Sequence, residues 1–203
     1  IFASSMLVCR VGHNPKHYNE YSAPNPYGES KVLTEKIVRE SGINRYEWVL
    51  VRPTSIWGPW FGSPYRDFFD RIRSKSYFRI SGKVSVKTFG FIYNAIHQLD
   101  KILFCESKLV NHKTFYLGDD PPLNINAWAD EISGQLKIKL PTIPLFDLKA
   151  GGWLGDLLSV FNLRFPLQSF RVKNMTTDNV VDLLKDTIQL VPEKPYTTRE
   201  GVS

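Results

Sequence analysis

The 203-residue sequence predicts an α/β protein built on a parallel sheet, and three observations carry that reading. "YEWVLVRP" (46–53) is a continuous apolar run ended by Pro53, the pattern of a strand buried on both faces. A helical pattern directly precedes it, so that strand, crossover helix and strand follow in order. "KTFYLG" (113–118) supplies another core strand.

In chain order, "IFASSMLV" (1–8) reads as the end of a buried strand running into the polar loop "HNPKHYNEYSAPNP" (13–26). It has neither an initiator Met nor a basic leader, so it is read as a fragment's start and not a signal peptide. A helix is expected from Tyr27 to Glu40, with Val32, Leu33, Ile37 and Val38 on one side and Gly42 as its stop. Past Pro59, "SPYRDFFDRIRS" reads as a helix and "VSVKTFGFIY" as extended. "NAIHQLDKILFCES" has Ile96, Leu99, Ile102 and Leu103 at helical spacing. Asn124 is the expected N-cap of the helix "INAWADEISGQL". From Lys139 onward, short elements are expected between Pro141, Pro144, Pro166, Pro192 and Pro195. Only three strands can be counted, which leaves a core-type strand with an open edge that a stable protein would cover.

Composition narrows the class. Hydrophobic residues at 42% and charged residues at 23% exclude a disordered or collagen-like chain. The two cysteines, Cys9 and Cys105, make no disulfide framework, which favours a reducing, cytoplasmic setting. The most apolar stretch, "GGWLGDLLSVFNLRF", is interrupted by Gly155, Asp156 and Asn162, so no membrane span is expected. A net charge of +6 favours anionic company. Its only dense cluster, "RIRSKSYFR" (71–79), reads as a solvated face and not as a nucleic-acid patch. The four histidines show no metal-ligand spacing.

The chemistry concentrates at "PNPYGESKVLTE" (25–36). Tyr27 and Lys31, four apart, share one helix face. A lysine cation one turn from a tyrosine favours the phenolate, as a general acid/base requires. A lysine ammonium can also bond ribose hydroxyls. Ser4 and Ser5 lie at the carboxyl end of the preceding strand, where α/β sheets place their ligands. "VRPTSIWGP" closes the next strand with the same geometry.

The ordered segments "SSMLVCR", "PYGESK" and "RPTSIWGP" resemble the extended short-chain dehydrogenase/reductase family that acts on nucleotide sugars. That family's pattern is a serine-rich strand end, then Pro-Tyr-Gly-x-Ser-Lys, then Arg-Pro-x-Asn-x-Tyr-Gly-Pro. The resemblance continues through "VKTFGFIYNAIHQLDKIL", "TFYLGDDPPLNINAWADEI" and "DNVVDLLKDTIQLVPEKPYTTREGV".

The resemblance implies a Rossmann-type doubly wound parallel sheet, incomplete here, with a small C-terminal α+β substrate-binding domain. Residues 1–60 would continue the dinucleotide-binding domain, and 61–112 would mix substrate-domain and returning Rossmann segments. Residues 113–140 would give the last Rossmann strand and helix, and 141–203 the substrate-binding portion. It implies NAD or NADP as cofactor, a nucleotide-sugar substrate and a homodimer. The family's glycine-rich fingerprint lies in a preceding βαβαβ half. None of the 13 glycines here forms Gly-x-x-Gly-x-x-Gly after a strand.

By position, Tyr27 would be the acid/base at the sugar hydroxyl or carbonyl, and Lys31 would hold the nicotinamide ribose. Ser5 would bond the reacting oxygen, with Ser4 beside the cofactor. Pro53 and Ile56 would lie against the nicotinamide end. Ser55 would face the substrate where the family usually has Asn. Lys87 and Arg171 are candidates for the substrate diphosphate. Asn94 stands where the family usually has Asp, and Cys9-Arg10 replaces Tyr-Gly. Family dehydratases carry an acid just after the catalytic Ser/Thr, where this chain has Met6 and Leu7, so dehydration and decarboxylation are disfavoured. A 4-epimerase or 4-ketoreductase of cell-surface polysaccharide sugars is the expectation. The departures motivate one alternative, a non-catalytic binding or scaffold relative; a second, a reductase of a non-sugar substrate, shares the Tyr27/Lys31 pair.

Overall fold

A computed structural model of the chain describes residues 1–42, 46–63, 65–83, 85–160 and 169–203. Asn162 and Pro166, named above as interruptions, lie outside them. The elements run β1 (Phe2–Ala3), α1 (Pro26–Gly42), β2 (Val49–Pro53), β3 (Ser55–Trp57) and α2 (Tyr65–Arg73). Then come β4 (Arg79–Ser81), β5 (Val86–Lys87), β6 (Phe89–Phe91), α3 (Ile92–Phe104) and α4 (Ser107–Val110). There follow β7 (Lys113–Leu117), β8 (Leu123–Asn124), α5 (Ile125–Gln135), β9 (Thr142–Pro144) and α6 (Leu145–Val160). The chain closes with α7 (Ser169–Thr176), α8 (Leu184–Leu190) and α9 (Thr198–Val202). They fall into two compact units. The first comprises Ile1–Trp60, Thr88–Leu123 and Asn179–Val202, and the second comprises Phe61–Lys87 and Asn124–Asp178.

The first unit is organised by a three-stranded parallel sheet in the order β1-β2-β7. Strand alternation sends Val49 and Val51 to one face and Leu50 and Arg52 to the other. On the first face they pack with Phe115, Leu117, Val110 and, from α3, Ala95 and Ile102. On the second, Leu50 meets Trp48 and Val38 of α1. Leu50 is wholly buried, which at roughly 1.5–3 kcal/mol per large aliphatic side chain makes this face a main source of stability. A satellite core joins Tyr116 to Val181, Leu183 and Leu184.

β1 differs from expectation: it spans only Phe2–Ala3, and both residues are exposed on the sheet's edge. The strand stops because Ser5 caps a 3₁₀ turn over Met6–Val8, its hydroxyl accepting from the Leu7 amide at 3.1 Å. α1 starts where an Asn-Pro pair predisposes it: the Asn25 side chain accepts from the Gly28 amide at 2.9 Å, and Pro26 occupies the first helical position.

In the second unit, Phe68 of α2 stacks on Trp128 of α5 with ring centroids 4.7 Å apart. Asn124 caps α5 as the sequence predicts, accepting from the Ala127 amide at 3.2 Å. β4 pairs with β9, and Ile80, Leu148 and Val172 form the core beneath α6 and α7. The expectation of only short elements after Lys139 is corrected here, because α6 runs 16 residues through three glycines. One of those glycines, Gly152, serves packing. A Cβ on Gly152 would come within 3.0 Å of Val172 Cγ2 and 3.3 Å of the Ser169 backbone.

Candidate active site

The site is assembled where the carboxyl end of β1 meets the first turns of α1. A close approach makes this possible. A Cβ on Gly28 would strike the Leu7 carbonyl oxygen, so only glycine lets α1 lie this near the Met6–Val8 turn. Tyr27 is thereby set beside the serine segment with its ring half exposed. Lys31, one turn on, donates to the Ala3 carbonyl at 3.0 Å, and its Nζ lies 5.8 Å from the Tyr27 ring centroid. The ammonium is thus held between the end of β1 and the phenol. Ser5 already accepts from the Leu7 amide, which leaves its O–H available to donate to a ligand oxygen.

The adjacent strand end contributes as well. Ser55 Oγ lies 3.7 Å from Met6 Sδ, so the substrate-facing candidate on β3 sits against the turn that carries Ser5. Pro53, at the end of β2, pairs in register with Leu117.

Two candidates are placed otherwise than a cofactor contact through their side chains requires. Ser4 is buried and donates to Glu35 Oε1 at 2.5 Å, beneath α1. Ile56 turns its side chain into the core formed by Val49, Phe115 and α3. Lys87 and Arg171 both belong to the second unit. Lys87 donates to the Asn174 carbonyl at 3.1 Å, one turn beyond Arg171 on α7. Burial pushes the Lys87 ammonium below the usual lysine range.

Beneath the site lies a polar network that the sequence did not reveal. Arg52 sits in a strand buried on both faces, so its charge demands a partner. Glu35 supplies it, taking Nε at 2.7 Å and Nη2 at 2.7 Å in a two-pronged ion pair. Arg52 also donates to the Tyr116 hydroxyl at 2.9 Å and the Tyr18 carbonyl at 2.6 Å. Tyr21 donates to Glu35 at 3.0 Å, and the rings of Tyr18, Tyr21 and Tyr116 surround the guanidinium. Burial pushes the Glu35 carboxyl up, but the Arg52, Ser4 and Tyr21 hydrogen bonds outweigh it and hold the group below the usual range. Glu35 lies four residues beyond Lys31 on α1, and Arg52 immediately precedes Pro53, so the pair ties the helix carrying Tyr27 to the sheet. The signal that could have found it was an arginine inside an otherwise apolar strand.

Of the remaining notable residues, Cys9 is buried, and burial pushes its thiol up, which suits a packing role. Trp57 is buried against Phe91, whereas Trp60 is fully exposed. Asn94 is buried, donating to Asp119 at 2.8 Å and to the Tyr196 carbonyl at 2.9 Å. Among the described residues no His/Cys/Asp/Glu group could hold a metal ion, and no helix is long and apolar enough to cross a membrane.

Comparison with known proteins meets this geometry from three directions. A family model described as "Male sterility protein", an NAD-binding family, matches residues 12–96, which include Tyr27, Lys31 and Arg52. A curated relative is N-acetyl-α-D-glucosaminyl-diphospho-ditrans,octacis-undecaprenol 4-epimerase of Escherichia coli O157:H7. It is 26% identical over the whole of this chain and 62% of its own length. The crystal structure of UDP-glucuronic acid 4-epimerase from Bacillus cereus, with UDP-glucuronic acid and NAD, superposes at TM-score 0.65. It is 12% identical and covers 98% of this chain and 57% of its own. ADP-L-glycero-D-manno-heptose-6-epimerase of Helicobacter pylori superposes at TM-score 0.62 and 16% identity, over 98% of this chain and 56% of its own. The chain shares the fold of these two epimerase structures. The curated relative and both solved structures are named as epimerases. The chain spans roughly three-fifths of these relatives' length.

Proposed function

We propose that this chain carries the acid/base machinery of an NAD(P)-dependent enzyme that oxidises or reduces one carbon of a diphosphate-activated sugar, as 4-epimerases and 4-ketoreductases do. The observation that carries the reading is the Lys31 ammonium fixed at the end of β1, 5.8 Å from the Tyr27 ring, beside a serine hydroxyl with its donor unused. The curated relative is named for a sugar diphosphate joined to a polyprenol, so the substrate class includes lipid-linked as well as nucleotide-linked sugars. Polysaccharide sugar synthesis in the cytoplasm is the setting such substrates imply.

The residues present fit the nicotinamide end of a dinucleotide. In this reading Lys31, held at the Ala3 carbonyl, bonds a ribose hydroxyl, and Pro53 at the neighbouring strand end lies against the nicotinamide. When bound, the cofactor would supply the hydride acceptor and donor. Tyr27 takes the proton from the sugar hydroxyl as that hydride leaves, and gives it back on reduction. Lys31 stabilises the phenolate between the two events. Ser5 donates to the reacting oxygen and keeps it within reach of Tyr27. Ser55, against Met6, faces the substrate, and Lys87 and Arg171 are the proposed diphosphate cations. A second copy of the chain is the proposed cover for Leu33 and Ile37, which α1 leaves exposed.

Tyr27→Phe tests the reading. The ring is half exposed, so the variant should unfold within about 0.5 kcal/mol of the wild type. Its turnover with sugar diphosphates and NAD(P) should fall by at least about 10²-fold. An unchanged turnover would sink the assignment, and a wild type inert on every sugar diphosphate would favour the scaffold alternative. Cofactor surviving purification would mark an epimerase, and cofactor exchanged on each turnover a reductase.

A further inference from the structure

The second unit carries a feature that the Tyr27 chemistry does not use. α6 leaves Phe146, Trp153, Leu154 and Leu157 exposed, at 81%, 68%, 44% and 45% respectively. These positions, with the exposed Ala150, recur at i, i+4, i+7, i+8 and i+11, which is one stripe of a helix. The opposite stripe, Leu148, Gly152 and Gly155, is buried. The helix therefore turns Leu148 and two glycines inward and both of its aromatic rings outward, the reverse of a helix whose outer face meets only water. Phe170, near the start of α7, adds a further exposed ring.

Charge identifies the cover. The second unit holds 13 Lys and Arg against 7 Asp and Glu, a net of +6. The first holds 13 of each, so the whole of the chain's positive balance lies in the unit that contains α6, although α6 itself carries only Lys149 against Asp147 and Asp156. Lys149 borders one side of the apolar stripe and Asp147 the other, and Lys173 lies on α7, all three exposed. Asp156, which borders it too, accepts from the Ser169 amide at 3.1 Å at the start of α7. At 16 residues, α6 is about 24 Å long, short of the ~30 Å hydrocarbon core, so it can lie in a bilayer surface but not cross it. Large aromatic and aliphatic side chains on one face, with Lys149 at their margin and Lys173 on the neighbouring helix within a unit of net +6, are what an interfacial helix presents to anionic lipid.

We propose that the outward face of α6 docks this protein on an anionic bilayer surface, with Phe146, Trp153, Leu154 and Leu157 entering the headgroup–acyl boundary and Lys149 and Lys173 meeting lipid phosphates. The inference is independent of the Tyr27 reading, because lipid binding is measured without turnover.

The test is sedimentation of the full chain with phosphatidylcholine vesicles and with vesicles containing about one-third phosphatidylglycerol. The protein should pellet with the anionic vesicles and remain largely in the supernatant with the neutral ones. Half a molar salt should weaken binding by about tenfold or more, as screening of surface charge requires. Phe146→Ser/Trp153→Ser should lower the bound fraction at least about tenfold while melting as the wild type does. Lys149→Glu/Lys173→Glu, which leaves the apolar stripe intact, should lower anionic binding alone. No pelleting with either vesicle, equal pelleting with both, or serine variants that bind like the wild type would each overturn the proposal. So would a wild-type dimer that the serine pair converts to monomer without any change in vesicle binding, since a second copy would then be the cover.

Discussion

Glu35→Gln is the most informative perturbation of the scaffold beneath Tyr27. Glu35 and Arg52 are both fully buried and joined by two contacts of 2.7 Å. The amide could still accept from Ser4, but it turns an N–H toward the guanidinium and leaves a buried cation without its counter-ion. Removing one partner of such a pair costs about 3–5 kcal/mol. For a chain of this size, at about 2–4 °C per kcal/mol, the melting temperature should fall by about 6–20 °C. Replacing both partners, as Glu35→Gln/Arg52→Met, removes the orphaned charge and should recover a large part of that loss. Urea denaturation of the four proteins, followed by circular dichroism, gives the coupling. Acid supplies a second reading. Because the folded Glu35 carboxyl lies below its ordinary value, its contribution is complete above about pH 4.3 and drains away as pH falls toward the folded value. Wild-type stability should therefore decline on acidification below about pH 4, and the Gln variant should lack that component. A Glu35→Gln loss under about 1 kcal/mol, or a double variant that loses the sum of the singles, would refute the reasoning.

Three other outcomes follow from contacts already described. Gly28→Ala puts a methyl against the Leu7 carbonyl and must push the first turn of α1 outward; with Tyr27 displaced by even about 1 Å, turnover should drop by up to roughly 10²-fold with helix content unchanged in circular dichroism. Asn94→Asp replaces the amide donor 2.8 Å from Asp119 with a second carboxylate, so urea stability should fall by roughly 1–3 kcal/mol and the deficit should grow as pH rises through the carboxylate range. Gly152→Val overpacks the α6–α7 contact and should cost about 1–3 kcal/mol, read as a lower urea midpoint for protease susceptibility within α7.

The parallel sheet was legible in the sequence because strands buried on both faces have no polar side and read as unbroken apolar runs. β2 and β7 met that condition, and α3 and α5 showed clear helical spacing. What was lost lay where tertiary packing overrides local preference. β1 is shorter than its apolar letters because the Ser5 hydroxyl captures the Leu7 amide and starts a turn. α6 was hidden by glycines that look like breaks in isolation. One of them, Gly152, set against Val172 and Ser169, is what allows two helices to touch. At the candidate site, Tyr27, Lys31 and Ser5 stood out through the order of their segments along the chain, and the structure sets Lys31 against the end of β1 that leads to Ser5. Glu35 did not stand out, since a glutamate in a helix rich in lysine and glutamate looks solvated until a strand brings an arginine beneath it.

Asn94 shows how one departure from a family pattern can be read in two ways. From sequence, an amide where an acid is usual counted toward a lost activity. In the structure the amide is wholly used: it donates to Asp119 and to the Tyr196 carbonyl, and its oxygen accepts from the Tyr196 amide at 3.0 Å. Asp119 keeps its own bond from the Phe91 amide at 2.9 Å, and burial pushes its carboxyl up. A second acid at 94 would have to share a proton with Asp119 or repel it. The amide therefore belongs to a local exchange of acid and amide that holds the start of α3 to the C-terminal segment. That substitution then weighs nothing against catalysis, and the case for a non-catalytic relative falls back on Ser55 and Cys9-Arg10 alone.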